Sequence, residues 1–195
     1  MTGACLSLSV AQGPSPEPSA HAPRRQPSLS SRPQFRRYLE ENRAYLITTN
    51  TGSRRPLFLD PRLCAIVIDN LAFYRDRGNF SLHAWVLMPD HLHFVVTPRG
   101  VELPDLMRNL KSYCAKQIRE AAGIPGPVWQ SRFHDQAMRN EFQYRQAIEY
   151  IHQNPVKAGL VQSDEEYKYS SARAYAGLVG AALAIDTPDG SRLGP

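Results

Sequence analysis

The chain lacks the features that mark secreted and membrane-spanning proteins. Its 195 residues include only three cysteines, Cys5, Cys64 and Cys114, which are far apart and form no CxxC pair. A sparse, odd number argues against a disulfide scaffold and favours a reducing compartment. No apolar run approaches the roughly 18–20 residues needed to span a membrane, and residues 1–20 lack the basic start and apolar core of a signal peptide. These absences predict a soluble cytoplasmic protein.

Acidic residues are also in the minority. The chain has 18 Asp and Glu against 23 Lys and Arg, a net charge of +5 and a pI near 9.3. A basic balance favours an anionic partner, and nucleic acid is the commonest one, although many basic proteins bind none. Hydrophobic residues make up 42% of the chain, enough for the core of one domain.

The two ends of the chain differ from its middle in composition. Residues 1–33 are rich in Pro, Ser, Ala and Arg, and six prolines interrupt any helix or strand there. We predict a disordered tail over 1–33, one folded domain over 34–180 and a disordered C-terminal tail over 181–195. The basic residues that follow the first tail, Arg36 and Arg37, allow either a solvated linker or an arm that tracks DNA.

The middle of the chain alternates strand and helix patterns. The predicted elements, in order, are a strand Ala44–Asn50, a helix Pro61–Arg77, strands Phe80–Met88 and His91–Thr97, a helix Leu103–Ala122, a short strand within Val128–Met138 and a helix Glu141–Asn154. The two central strands flank Pro89-Asp90 and so predict a β-hairpin. This order predicts an α+β, ferredoxin-like sandwich with an antiparallel β-sheet and helices packed mainly on one face.

Two histidines stand at the start of the second hairpin strand. His91 and His93 are two residues apart and share one face of the strand, while Leu92 points to the core. Two imidazoles on one face can converge on one metal ion. The pattern alone is weak, because many strands carry two exposed histidines. His83 and His134 could approach the same site or be structural.

The last predicted helix carries a second group of polar side chains. Tyr150 and Asn154 are four residues apart and share a helix face. The amide oxygen of Asn154 suits Mg²⁺ or Mn²⁺, and Gln153 is the alternative ligand. Asn154 also precedes Pro155, where it could instead cap a new turn. Tyr150, taken alone, is more often a buried aromatic.

These segments carry a resemblance to a known family. The stretches Ala84–His93 (AWVLMPDHLH) and Tyr150–Val161 (YIHQNPVKAGLV) resemble the REP-associated tyrosine transposases, which belong to the HUH endonucleases with the insertion-sequence single-strand transposases. The resemblance runs from about Ala44 to Ala172. It departs at Tyr169, where the family would have Trp before the paired serines.

The resemblance implies a chemistry and a partner. It matches His91, His93 and Asn154 to the ligands of a divalent metal, Mg²⁺ or Mn²⁺, and Tyr150 to a nucleophile that forms a 5′-phosphotyrosine. The implied substrate is single-stranded or hairpin DNA with REP-like palindromic repeats. By this resemblance the related single-strand transposases act as dimers and the REP-associated ones as monomers, and the sequence does not choose between monomer and homodimer.

Basic side chains along the domain are expected to contact phosphates of that DNA. The predicted DNA-binding residues are Arg36, Arg37, Arg108, Lys111, Lys116, Arg119, Arg132, His134 and Lys157. The alternative function is a catalytically idle DNA-binding regulator derived from a transposase. That alternative has no need of Tyr150, and the intact set of histidines and tyrosine argues against it.

Overall fold

The computed structural model describes residues 43–188 and 190–194. The predicted tail over 1–33 and the expected DNA contacts of Arg36 and Arg37 lie outside the described residues. Within them, no helix is both long enough and apolar enough to cross a membrane.

Four antiparallel strands form the central sheet in the order β2-β3-β1-β4. Their bounds are β1 Tyr45–Asn50, β2 Phe80–Met88, β3 His91–Pro98 and β4 His134–Ala137. The first strand therefore lies between the second strand of the hairpin and a distant short strand. The α+β fold with an antiparallel sheet, predicted from the sequence, is confirmed.

The helices are α1 Pro61–Asp76, α2 Leu103–Ala122, α3 Glu141–Lys157 and the short α4 Ala172–Tyr175. Two of them begin at side chains that cap the first turn. Asp60 accepts a hydrogen bond from the Arg62 amide at 2.9 Å, and Asn140 accepts one from the Gln143 amide at 2.9 Å. The second helix ends at Gly123, whose φ of 59° favours glycine.

Helices cover both faces of the sheet, and the core on one face is larger than the core on the other. Apolar residues of α1 and α2 pack with Ile47, Leu92 and Phe94 in the larger core. The third helix packs on the opposite face, where Tyr144 and Ile151 meet Val86 and Val95 in a smaller core. Alternation along β3 therefore turns its even-numbered residues to α1 and α2, and its odd-numbered residues to α3.

The C-terminal segment corrects one prediction. We predicted a disordered tail over 181–195, but its described part folds back as a small hairpin of β5 Ile185–Asp186 and β6 Arg192–Leu193. Ile185 is fully buried, and the Asp186 carboxylate accepts a hydrogen bond from the Leu82 amide at 2.9 Å. The Arg75 guanidinium also donates to the Ala184 carbonyl. The segment packs on the domain because Ala181, Leu183 and Ile185 join the larger core.

The third helix is longer than predicted. It continues through Pro155 to Lys157, and the Ala158 amide donates to the Asn154 carbonyl at 2.9 Å. The Asn154 side chain donates back to the Tyr150 carbonyl at 2.6 Å. The hypothesis that Asn154 caps a new turn is therefore wrong, because proline removes one amide donor without ending this helix.

Candidate functional site

The hairpin turn between β2 and β3 is anchored to the rest of the domain. Met88 pairs with His91 across the two-residue turn. The Thr51 amide donates to the Asp90 carbonyl at 2.9 Å, and the Phe58 amide donates to the Pro89 carbonyl at 3.0 Å. These bonds fix the point at which His91 enters the strand.

His91 and His93 lie on the sheet face that α3 covers. Their ring centroids are 4.6 Å apart and their planes are nearly perpendicular, at 83°. The pairing of β1 with β3 places Asn50 opposite His91, and Thr48 opposite His93. His93 is buried, while His91 is partly open to solvent. The two imidazoles therefore converge, as the spacing predicted.

Each histidine is oriented through its Nδ1 atom. His91 Nδ1 lies 2.5 Å from an Asp90 carboxylate oxygen, and His93 Nδ1 lies 2.7 Å from the Thr48 hydroxyl. A partner at Nδ1 fixes the ring and, when Nδ1 carries the proton, leaves the Nε2 lone pair for a metal ion. Burial first, and then the nearby His91 and Arg54, lower the pKa of His93 to about 3. His93 is therefore neutral, as a metal ligand must be.

Arg54 supports this arrangement from the loop after β1. Its guanidinium donates to the Asn50 side-chain oxygen at 2.5 Å and forms an ion pair with Asp90 at 3.3 Å. Ser53 and Arg54 both have a φ of 55°, a left-handed conformation that non-glycine residues seldom adopt. Such strain persists only where the surrounding contacts hold it in place.

Tyr150 lies on α3, beside the histidines. Its ring centroid is 5.3 Å from that of His93, and its side chain is 43% exposed. Lys157 places its ammonium 5.7 Å from the centre of the Tyr150 ring. The structure thus brings together a phenol that solvent can reach, two imidazoles and a positive charge.

The candidate third ligands are the amides of α3. Among the described residues, no three His, Cys, Asp or Glu side chains are grouped to share a metal ion. The amide nitrogen of Asn154 is engaged with the Tyr150 carbonyl, and that of Gln153 donates to Asp164 at 3.3 Å. In both side chains the amide oxygen is the atom suited to Mg²⁺ or Mn²⁺. A donor set of two imidazoles and one amide oxygen would suit a divalent metal.

The other two histidines considered in the sequence have different surroundings. His134 pairs with Thr48 in register, so its side chain projects on the same sheet face as His93, in an exposed position. His83 is fully buried, with Nδ1 2.8 Å from the Asp186 carbonyl and Nε2 3.0 Å from the Thr97 hydroxyl. His134 therefore borders the site, and His83 belongs to the packing of β2.

The basic residues of α2 lie apart from Tyr150, because α2 covers the opposite face of the sheet. Arg108, Lys111 and Arg119 line a groove of about 410 Å³ between α2 and the loop 127–133. The Lys111 ammonium donates to the carbonyls of Gln130 and Ser131 at 2.6 and 3.0 Å. Lys111 is thus engaged in holding this loop, while Lys116 and Arg132 are exposed.

Four residues near the histidines were missed in the sequence: Thr48, Asn50, Arg54 and Asp90. Three of them reach the site only through the pairing of β1 with β3 or the loop after β1, which local patterns do not reveal. Asp90 could have been found, because it directly precedes His91 in the turn.

Comparison with known proteins agrees with this geometry. A family model described as "Transposase IS200 like" matches residues 41–154. A REP-associated tyrosine transposase from Escherichia coli (strain K12) is 32% identical over 140 residues, covering 71% of this chain and 81% of the relative. A solved structure of a REP-associated tyrosine transposase bound to a REP hairpin, also 32% identical, covers 74% of this chain and 86% of that chain with a TM-score of 0.57.

The resemblance drawn from the two motifs is confirmed by these matches. The span of the family match contains both histidines, Tyr150 and Asn154. The chain belongs to the IS200-like transposase family of DNA-processing enzymes.

Proposed function

We propose that this protein is a metal-dependent tyrosine transposase that cleaves and rejoins single-stranded or hairpin DNA. The observation that carries the proposal is the convergence of His91, His93 and Tyr150 on one face of the sheet, with ring centroids 4.6 and 5.3 Å apart. A nucleophile and a pair of metal-ligating imidazoles at this separation can act on one phosphate group. The proposal places the activity in the cytoplasm.

Tyr150 is the proposed nucleophile. Its phenol oxygen bonds to phosphorus while the bond from phosphorus to the 3′ oxygen breaks, giving a 5′-phosphotyrosine and a free 3′ end. The phenolic proton passes to solvent, and the departing oxygen takes up a proton. The Lys157 ammonium, 5.7 Å from the centre of the Tyr150 ring, would supply positive charge near the phosphate.

The reverse reaction would join strands without an external energy source. A 3′-hydroxyl from the same or another strand attacks the phosphotyrosine, the phosphodiester re-forms and Tyr150 is released. The energy of the original bond is kept in the phosphotyrosine, so no nucleotide triphosphate is consumed.

The proposed cofactor is Mg²⁺ or Mn²⁺, held by His91, His93 and the amide oxygen of Asn154. When bound, such an ion polarises a non-bridging phosphate oxygen and stabilises the charge on the departing oxygen. Asp90 and Thr48 would hold the imidazoles in the orientation that ligation needs.

The proposed partner is a DNA hairpin with an unpaired flank. The solved neighbour described above is bound to a REP hairpin, and this chain carries a net charge of +5. Exposed basic residues, among them Arg108, Lys116, Arg119 and Arg132, would contact phosphates. In this proposal the phosphate that reaches Tyr150 belongs to an unpaired strand.

The test is formation of a covalent adduct between protein and DNA. Wild-type protein is incubated with hairpin oligonucleotides carrying unpaired flanks and Mn²⁺, then separated under denaturing conditions. We expect an adduct with the wild type and none with Tyr150→Phe. Tyr113→Phe is the matched control, because Tyr113 is 45% exposed and lies on α2.

Either of two results would overturn the proposal. An adduct that persists in Tyr150→Phe would remove the assigned nucleophile. Tight hairpin binding by the wild type with no adduct under any metal would favour the idle DNA-binding regulator instead.

A further inference from the structure

A groove of about 330 Å³ adjoins Tyr150 on the side away from the hairpin turn. It lies between the edge of the sheet, formed by β1 and β4, and the first turns of α3. Its apolar part comes from Leu46, Met138 and Ala147, and Tyr150 forms one end. Its polar side chains are those of Thr48 and of three glutamines, Gln136, Gln143 and Gln146.

Backbone geometry explains why the three glutamines meet. Gln143, Gln146 and Tyr150 are spaced three and four residues apart, so they follow one face of α3. Gln136 pairs with Leu46 across β4 and β1, so its side chain projects on the same sheet face as that residue. The face of α3 that carries Tyr150 therefore borders the groove in which the three glutamine side chains meet.

The lining chemistry distinguishes this groove from a phosphate site. None of the described residues that line it is charged, whereas phosphate contacts come mainly from Arg and Lys. A floor of apolar side chains bordered by primary amides suits a flat, uncharged ring whose edge carries both donors and acceptors. Glutamine amides present both a donor and an acceptor and can recognise a base edge with two hydrogen bonds.

One of the three glutamines is already oriented. The Gln143 side-chain oxygen accepts a hydrogen bond from the Arg139 amide at 2.9 Å. This bond orients the side chain and leaves its amide nitrogen to donate to a ligand. Gln136 and Gln146 are exposed and can adjust to a ligand.

We infer that this groove binds one unpaired nucleobase next to the phosphodiester that Tyr150 attacks, and so sets the sequence of the cleavage site. The inference rests on the proposed function, because it places the bound base relative to the phosphate that Tyr150 attacks. The apolar floor stacks against the ring, and Gln136 and Gln146 recognise its edge.

The test compares base preferences rather than rates. Full-length protein is incubated with Mn²⁺ and a DNA hairpin whose unpaired flank is randomised, and the covalently linked and the bound DNA are both sequenced. The test variant is Gln136→Ala combined with Gln146→Ala. The control is Gln162→Ala, an exposed glutamine that does not line the groove.

We expect the wild type and the control to prefer one base at one position beside the linked phosphate. The double variant should lose that preference by about tenfold at this position only, as expected for loss of a two-bond base contact. If the double variant keeps the base preference, or if the wild type has none, the inference is overturned. The proposed function still stands in that case, provided that the adduct forms. If no adduct forms at all, the proposed function fails. The base preference of the bound DNA, compared between the wild type and the double variant, then tests whether the groove binds a base.

Discussion

At the scale of single residues, the site depends on side chains that hold the two histidines in place. Asp90 and Thr48 each contact the Nδ1 atom of one histidine. Arg54 joins Asp90 to Asn50 and so ties the hairpin turn to the end of β1. Partners of this kind fix the ring orientation and raise the basicity of metal-ligating histidines.

Replacement of Asp90 by Asn should therefore weaken metal binding. The variant keeps the shape of the side chain but loses the charge that holds His91, and we expect Mn²⁺ affinity to fall by roughly 10- to 100-fold. Calorimetric titration of the DNA-free protein with Mn²⁺ measures this directly. Asp69→Asn, at an exposed position on α1, is the control. Equal Mn²⁺ affinity in Asp90→Asn and the wild type would show that Asp90 has no part in ligation.

At the scale of elements, α3 positions Tyr150 by packing its inner face on the sheet. Ile151, the residue next to Tyr150, is fully buried against that face. Neighbouring helix residues are turned by about 100°, so Tyr150 lies at the border of this face, beside His93 and 43% exposed. The exposure of the phenol is thus a consequence of how deeply its neighbour is buried.

Ile151→Ala should loosen this element. Removing a fully buried isoleucine side chain leaves a cavity, and we expect the free energy of unfolding to fall by about 2–5 kcal/mol. Urea denaturation followed by circular dichroism measures the change. Val179→Ala, at a position 90% exposed, should change stability by less than about 0.5 kcal/mol. A loss for Ile151→Ala no larger than that of this control would contradict the packing described here.

The same elements show how far sequence predicts structure. Strand alternation was enough to place His91 and His93 on one face, and helical spacing gave both ends of α2 correctly. Local patterns could not place Thr48 opposite His93, because the register of β1 is set by long-range pairing. Local patterns also failed for the segment 181–195, because its few apolar residues become ordered only by packing into the larger core. They failed again at Asn154, because helix packing overrides the tendency of Pro155 to end the helix. The metal ligation and the role of Tyr150 remain predictions from the sequence.

At the scale of the whole molecule, the proposed site lies within one chain. His93 and Tyr150 contact each other inside the same domain, with ring centroids 5.3 Å apart. A second copy of the chain is therefore not needed to complete the set of histidines and tyrosine. We propose that each chain acts with its own tyrosine, whether the protein is a monomer or a homodimer.

Mixing two inactive variants tests that conclusion. His93→Ala supplies Tyr150 without the histidine pair, and Tyr150→Phe supplies the histidines without the nucleophile. We expect no adduct from the mixture at any concentration, because neither chain has a complete site. Recovery of activity on mixing would show that the tyrosine of one chain acts with the histidines of another.

The most direct test of the central claim is to identify the residue that becomes linked to DNA. Digestion of the adduct with trypsin releases the peptide Gln146–Lys157, in which Tyr150 is the only tyrosine. After removal of the DNA by nuclease, mass spectrometry should find this peptide carrying a nucleotide through phosphate on Tyr150. A nucleotide on any other peptide, or on another side chain of this one, would contradict the account.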